Sequence, residues 1–310
     1  MKCLFAYNPV SGKGKINKKL DYIVGELKKK YEVVDVYATQ HANEMPSVAS
    51  SACGKYDALI FSGGDGTVNE VISGIAEKEN KPILGYIPTG TINDVARSLK
   101  IKRNIKKALK VILQDNVQNY DILKLNDRYA MYAVACGAMT TTSYMTSQEE
   151  KHKIGKIAYG LYALKNDFKF EKFKVKYSYG DVQGETEAIL ILVINSKSVS
   201  SFNLHKDAVL DDGIVDFAIV QEEVKYKELG IFRIIRNFVK SAIVFLFGYK
   251  FTQKNKHVIT FSSSNAKFEF EDNIKWNFDG EKGVEGDLTL QVLQQEIPIL
   301  VPKKKEKNKK

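Results

Sequence analysis

The chain has 310 residues, 44% of them apolar and 27% charged, with a formal net charge of +10. These values fit an ordinary globular protein long enough for two domains. They leave no run of about 18 apolar residues for a membrane-spanning helix, and the four histidines show no zinc spacing. Cys3, Cys53 and Cys136 are scattered and read as small core residues of a reduced, cytoplasmic protein. The apolar run Cys3 to Tyr7 ends at Asn8-Pro9, too short for a signal peptide.

The first 125 residues alternate strand and helix. Strands are expected at Cys3–Tyr7, Val33–Tyr37, Ala58–Phe61 and Ile83–Ile87. Ile16, Leu20, Ile23, Val24 and Leu27 mark a helix, and a short one covers about 43–52. Another starts at Thr67, and Ile92, Val95, Ala96 and Leu99 mark the next. Ile105 to Leu113 is the last. That order predicts a Rossmann-like parallel α/β domain, which binds ligands beyond the carboxyl ends of its strands.

After about Asp121 the pattern changes to alternating and β-branched runs. They lie at Tyr129–Ala135, Phe173–Tyr179, Ala188–Ile194, Ile214–Val220, Val258–Phe261, Lys267–Phe270 and Leu288–Leu293. These predict an antiparallel β-sandwich domain. Two helical interruptions are expected, at about 151–166 and 226–247. In the second, Leu229, Phe232, Ile235, Val239 and Ala242 repeat among Arg233, Arg236 and Lys240. The expected division is 1–125, 126–295 and a 296–310 return segment with a basic tail.

Three glycine-bearing turns fall at predicted strand ends. Gly63-Gly64-Asp65-Gly66-Thr67 joins a strand to a helix. Glycine lets a ligand approach the backbone, and a helix start presents free N–H groups, so the turn suits phosphate. Asp65 is the odd member, because a carboxylate near phosphate calls for a metal ion or polar network between them. Asn8-Pro9-Val10-Ser11-Gly12-Lys13-Gly14 adds amides, a hydroxyl and a lysine charge. Pro88-Thr89-Gly90-Thr91-Ile92-Asn93-Asp94 is the third, with Thr91 placed to cap the next helix. Each could be a plain helix cap, but three on adjoining strand ends argue for a shared nucleotide site.

These segments resemble the catalytic domain of the diacylglycerol kinase and sphingosine kinase superfamily; NAD kinases share G-G-D-G-T without the flanking pattern. The resemblance continues through Cys136-Gly137 to Ser143-Tyr144, Gly155 to Tyr159, Asp207 to Gly213, and Asn277-Phe278-Asp279-Gly280-Glu281. It covers nearly the whole chain and narrows to soluble bacterial diacylglycerol kinases. Departures at Val95-Ala96-Arg97 and Ala138-Met139-Thr140 touch no group with a chemical role.

The resemblance implies a fold of the NAD kinase/diacylglycerol kinase type and an Mg²⁺- and ATP-dependent lipid kinase. It assigns ATP to Asn8, Pro9, Val10, Ser11, Gly12, Gly63, Gly64, Asp65, Gly66, Thr67, Val68, Asn69 and Thr91, with Thr39 lining the cleft. Lys13 would neutralise phosphate charge. Asp65 would place the catalytic Mg²⁺, with Asp94 and Asp121 in a supporting acidic network. A structural Mg²⁺ would take Asp212 and the carbonyls of Val209 and Ile214; from the residues alone, Asp-Gly there reads as a β-turn. The proton acceptor would be Asp279 or Glu281, with Glu281 preferred. Read as an extended segment, positions i and i+2 turn both carboxylates toward one cleft.

The expected reaction makes phosphatidic acid from diacylglycerol in the cleft between the domains. The expected location is the cytoplasm, peripheral at the inner membrane surface, and a homodimer is admitted. Lys303 to Lys310 hold six Lys and one Glu, and with the 226–247 stretch they are candidates for docking on anionic lipid. No base-reading motif occurs, so no nucleic-acid partner is expected. Rival readings are another acceptor (a sphingoid base, ceramide or NAD) and a non-catalytic nucleotide-binding regulator.

Overall fold

The computed structural model describes residues 1–10, 14, 16–137, 171–197, 208–221 and 258–303. The expected helices at 151–166 and 226–247 and the tail beyond Lys303 lie outside them. The chain forms two compact units that interleave in sequence. One holds Met1–Tyr132, Asn195–Gly213 and Val292–Lys310; the other holds Ala133–Ile194 and Ile214–Gln291. Asn195–Gly213 lies in the first unit although it falls inside the span 126–295, because nothing in its local sequence signals that return.

In the first unit, strands β1 (Lys2–Tyr7), β2 (Val33–Ala38), β3 (Ala58–Gly63) and β4 (Ile83–Pro88) run parallel in the order β2-β1-β3-β4. Helices α1 (Leu20–Leu27), α2 (Met45–Ala52), α3 (Asp65–Ile75), α4 (Asp94–Ser98) and α5 (Ile105–Leu113) connect and cover them. The parallel strands carry the near-continuous apolar runs that two-sided burial demands. Phe5, Phe61 and Tyr86 are fully buried among them. On α3, Val68, Val71, Ile72 and Ile75 face the core at helical spacing. Asn104 caps α5, its side chain accepting from the Lys107 amide at 3.1 Å.

The run Tyr129–Ala135 is not one strand. β5 (Val117–Leu125) pairs with β6 (Arg128–Ala130) in the first unit, while β7 (Ala133–Gly137) pairs in the second. The break at Met131-Tyr132 is where the chain changes units, and apolar alternation continues straight through it.

The second unit is the expected antiparallel sandwich. One layer orders β12 (Val258–Ser263), β11 (Val215–Val220), β10 (Leu190–Ile194), β7, β14 (Lys275–Phe278) and β15 (Glu281–Glu285). The other pairs β8 (Phe173–Tyr179) with β9 (Val182–Ala188) and β13 (Asn265–Phe270), and β13 with residues 288–291 of β16 (Leu288–Leu300). Phe217 of the first layer meets Phe268 of the second, ring centroids 6.1 Å apart, and Phe268 meets Trp276 at 5.7 Å. Such aromatic pairs add to burial in holding the layers together.

Candidate functional site

Gly63 ends β3, Gly64 is the N-cap of α3 and Asp65 is its first residue. The helix therefore begins two residues before the expected Thr67. Its first amides have no partner within the helix and converge on the turn. None of Gly63, Gly64 and Gly66 adopts positive φ; at Gly63 and Gly64 it is space that calls for glycine. A Cβ on Gly63 would lie 2.1 Å from Thr67 Oγ1, and one on Gly90 would lie 2.5 Å from Gly64 Cα. Two glycine turns thus meet backbone against backbone.

The third turn is laced to the second. The amides of Thr89 and Gly90 both donate to the Gly63 carbonyl, at 2.9 and 3.2 Å. The Ser62 and Thr89 hydroxyls share a hydrogen bond at 3.2 Å. Thr91 does not cap α4. The N-cap is Asn93, held in the left-handed region at φ 56°, and Thr91 and Ile92 are exposed outside the helix. The cap comes from another turn: the Val95 amide donates to Asp65 Oδ1 at 3.1 Å. A carboxylate at a helix start is favoured by its amides and dipole.

Burial pushes the Asp65 carboxyl above the ordinary aspartate range. The amides of Val95, Asp94 and Asn93 pull it back, and the charge of Asp94 pushes it up again. Asp94 is only 1% exposed, with Arg97 Nε at 3.8 Å from its Oδ1. Asp65 and Asp94 therefore form one electrostatic pair. Asp121 belongs to a different cluster. Its Oδ1 accepts from the Gln295 amide and its Oδ2 from the Gly213 amide, both at 2.7 Å, and its neighbouring charges are Asp212 and Asp211. Burial is the main cause of its raised carboxyl. Asp121 thus ties the returning 208–213 loop and β16 to β5, and its oxygens are occupied by backbone.

Asn8 Oδ1 accepts from the Val10 amide at 3.0 Å, and Asn17 donates to the Pro9 carbonyl at 3.2 Å. Val10 is exposed. Ser11, Gly12 and Lys13 lie outside the described residues. Thr39 follows β2 directly and is buried, its amide donating to the Tyr7 carbonyl at 2.9 Å. Val68 is buried in the α3 core face, and the Asn69 side-chain amide donates to the Tyr129 carbonyl at 2.9 Å. In the 208–213 loop Val209 and Asp212 are exposed; Ile214, exposed too, belongs to the other unit.

Asp279 and Glu281 are not in one extended segment. Asp279 (φ 52°) and Gly280 (φ 89°) are the two loop residues of a hairpin in which Phe278 pairs with Glu281. Positive φ at both is the type I′ turn that Asp-Gly favours, so the turn preference of that dipeptide overrides the two-residue period. Asp279 is 4% exposed; its amide donates to the Ala133 carbonyl at 2.8 Å and its Oδ1 accepts from the Ala133 amide at 3.0 Å. Glu281 opens β15 and is exposed.

Sequence reasoning passed over Tyr86 and left Asn93 without a role of its own. The signals were a hydroxyl in an otherwise apolar buried strand and an asparagine in a turn, both weak alone.

Residues 2–125 match the family model described as the diacylglycerol kinase catalytic domain. A diacylglycerol kinase of Staphylococcus epidermidis is 33% identical over 299 residues, spanning 96% of this chain and 91% of that protein. The chain belongs to the diacylglycerol kinase family. Another relative, the diacylglycerol kinase of Staphylococcus saprophyticus, is 37% identical over 226 residues, 72% of this chain and 74% of that one. Among solved structures, a diacylglycerol kinase from Bacillus anthracis str. Sterne is similar with TM-score 0.77 and 26% identity, covering 97% of both chains. The family's catalytic-domain match contains all three glycine turns, the Asp65–Asp94 pair and Asp121, while the Asp279 hairpin lies beyond it.

Proposed function

We propose that this chain transfers the γ-phosphoryl group of ATP to the hydroxyl of diacylglycerol, giving phosphatidic acid and ADP. The observation that carries this is the backbone-to-backbone meeting of the Gly64 and Gly90 turns, with Asp65 at the head of α3. Phosphoryl transfer asks a protein mainly for positioning and charge stabilisation. Amides of Gly63 to Asn69 and of the Thr91 turn would hold the phosphates, with Asn8 to Gly12 and Lys13 adding amides and charge. Thr39 would line the nucleotide cleft.

The donor set fits Mg²⁺. Asp65 and Asp94 are two half-buried or buried carboxylates whose mutual repulsion a hard cation relieves. When bound there, Mg²⁺ supplies charge neutralisation at the transferred phosphoryl group. Within the 208–213 loop, the Asp212 carboxylate and the Val209 carbonyl would offer oxygen donors of the kind that suits a second, structural ion.

The lipid hydroxyl must lose its proton as its oxygen bonds to phosphorus and the bond to ADP breaks. Glu281 would take that proton, because its carboxylate is exposed while that of Asp279 is buried and committed to the Ala133 amide. Asp279 then holds the hairpin that presents Glu281. The acceptor resides in a bilayer, so the enzyme would act as a peripheral protein on the cytoplasmic surface, with the basic tail attracted to anionic lipid.

The test is radiolabel transfer from γ-labelled ATP in mixed micelles, with sphingosine, ceramide and NAD beside diacylglycerol. Label in phosphatidic acid, lost in Glu281→Gln, is the expected result. Label only in another product would change the acceptor. No label from a protein that binds ATP would overturn the kinase assignment.

A further inference from the structure

Tyr86 stands in the middle of β4, 1% exposed, its ring stacked on Phe61 of β3 with centroids 5.1 Å apart. The stacking aligns the ring plane with that of Phe61 to within 16°. Its hydroxyl lies 3.2 Å from the Gly63 carbonyl and 3.1 Å from Asn93 Oδ1. These two acceptors belong to different glycine turns. Asn93 passes the link on, its Nδ2 donating to the Gly90 carbonyl at 2.6 Å. Gly90 in turn abuts Gly64. Gly63, Tyr86, Asn93, Gly90 and Gly64 thus close a ring around one phenolic proton shared between two acceptors.

We propose that Tyr86 is a positioning residue whose buried hydroxyl sets the spacing of the two glycine turns for a polyphosphate. The inference rests on the reading that these turns hold nucleotide phosphates. Gly63 O already accepts from Thr89 and Gly90, so the second turn needs no third donor merely to satisfy its carbonyl. Asn93 Oδ1 does gain its donor from Tyr86. The hydroxyl therefore acts on the left-handed residue that launches α4 and on the strand end that launches α3, at once. Burial pushes the phenol well above the usual tyrosine range, which favours its protonated, donating form. Displacements well under an ångström matter in such sites, because amides aimed at a phosphate lose effect steeply with misplacement.

The experiment uses the full chain and the variants Tyr86→Phe, Asn93→Gly and both together. Asn93→Gly keeps the left-handed backbone and removes only the side chain. Tyr31→Phe, equally buried in the same unit, is the control. Calorimetric titration with Mg-ATP is expected to show about tenfold weaker binding in either variant, with the double variant no weaker than the single ones. In transfer assays the KM for ATP rises while the KM for diacylglycerol stays put; a merely structural role would lower the active fraction and move neither. Wild-type ATP affinity in Tyr86→Phe, or losses that multiply in the double variant, would overturn the inference. If Tyr86→Phe does not fold, Asn93→Gly with unchanged ATP affinity overturns it equally. A wild-type chain that binds no ATP would instead overturn the nucleotide reading, and the positioning role with it.

Discussion

Asp65 Oδ1 accepts the Val95 amide at 3.1 Å, so the carboxylate that opens α3 also caps α4. One side chain fixes the start of two helices and faces Asp94 as it does so. Its negative charge is an electrostatic cost that its hydrogen-bonding role does not need.

Asp65→Asn keeps an acceptor oxygen for Val95 and removes the charge. Transfer should fall by at least 10³-fold, while the thermal midpoint at pH 7 should not drop. The pH dependence has a definite sign. Burial raises the Asp65 pKa in the folded state, so its stabilising share is full below the unfolded value near 4 and is lost as pH rises through the raised value. Thermal melts in EDTA across that window should show wild type losing stability relative to Asp65→Asn as pH increases.

Gly90→Ala pushes a methyl to 2.5 Å from Gly64 Cα, backbone that cannot rotate away. Overpacking of this kind costs about 1–3 kcal/mol and should weaken Mg-ATP binding as well. Gly25 in α1 is the contrast, since a Cβ there meets nothing within 4 Å. Gly25→Ala should stabilise by about 0.5–1 kcal/mol with kinetics unchanged. Urea unfolding and steady-state assays check both.

Asp121→Ala leaves the Gly213 and Gln295 amides without their shared acceptor. Losing two hydrogen bonds to a charged group should cost roughly 3 kcal/mol or more, read by urea unfolding. Hydrogen exchange at Gly213 and Gln295 should accelerate more than exchange in β3.

Asp279→Asn preserves both the type I′ turn and the oxygen that accepts from Ala133, since Asn-Gly is the strongest sequence for that turn. It should keep at least a tenth of the transfer rate, whereas Glu281→Gln should lose nearly all of it. The reverse order would make Asp279 the proton acceptor.

Burial pushes the Cys3 thiol up to about 12 and Cys136 well above its ordinary value. Cys53 is half-buried and raised less. Thiol titration of the native protein at pH 8 should show Cys53 reacting first and the other two only on unfolding.

The sheet and its turns were legible because each strand and helix of the first unit announces itself locally. Ala58–Phe61 is apolar throughout, and Val68, Val71, Ile72 and Ile75 repeat at helical spacing. Ile105 to Leu113 matches the helix to the residue. What stayed hidden was long-range. Nothing near Asp121 announces that its oxygens meet amides at Gly213 and Gln295, 92 and 174 residues away. Ile92 mimicked a helix position although its neighbour Asn93 turns the chain left-handed first. Strands Val117–Leu125, Val182–Ala188, Lys275–Phe278 and Glu281–Glu285 were missed: the third alternates but spans only four residues, the second and fourth bury little, and the first opens on polar, part-exposed residues.

The last strand has a consequence for how the chain comes off the ribosome. Ile299 pairs in parallel with Leu84, and Val301 donates to the Asn116 carbonyl. The edge of β4 therefore waits for residues made about 200 positions later in the chain. At roughly 5–20 residues per second that wait is on the order of ten seconds or longer. Through it the nascent sheet keeps an open, apolar border, the sort of surface that chaperones recognise and that aggregation exploits. Such non-local closure also makes refolding slow for a protein of this size. Cutting the chain after the catalytic-domain match would leave that border open for good.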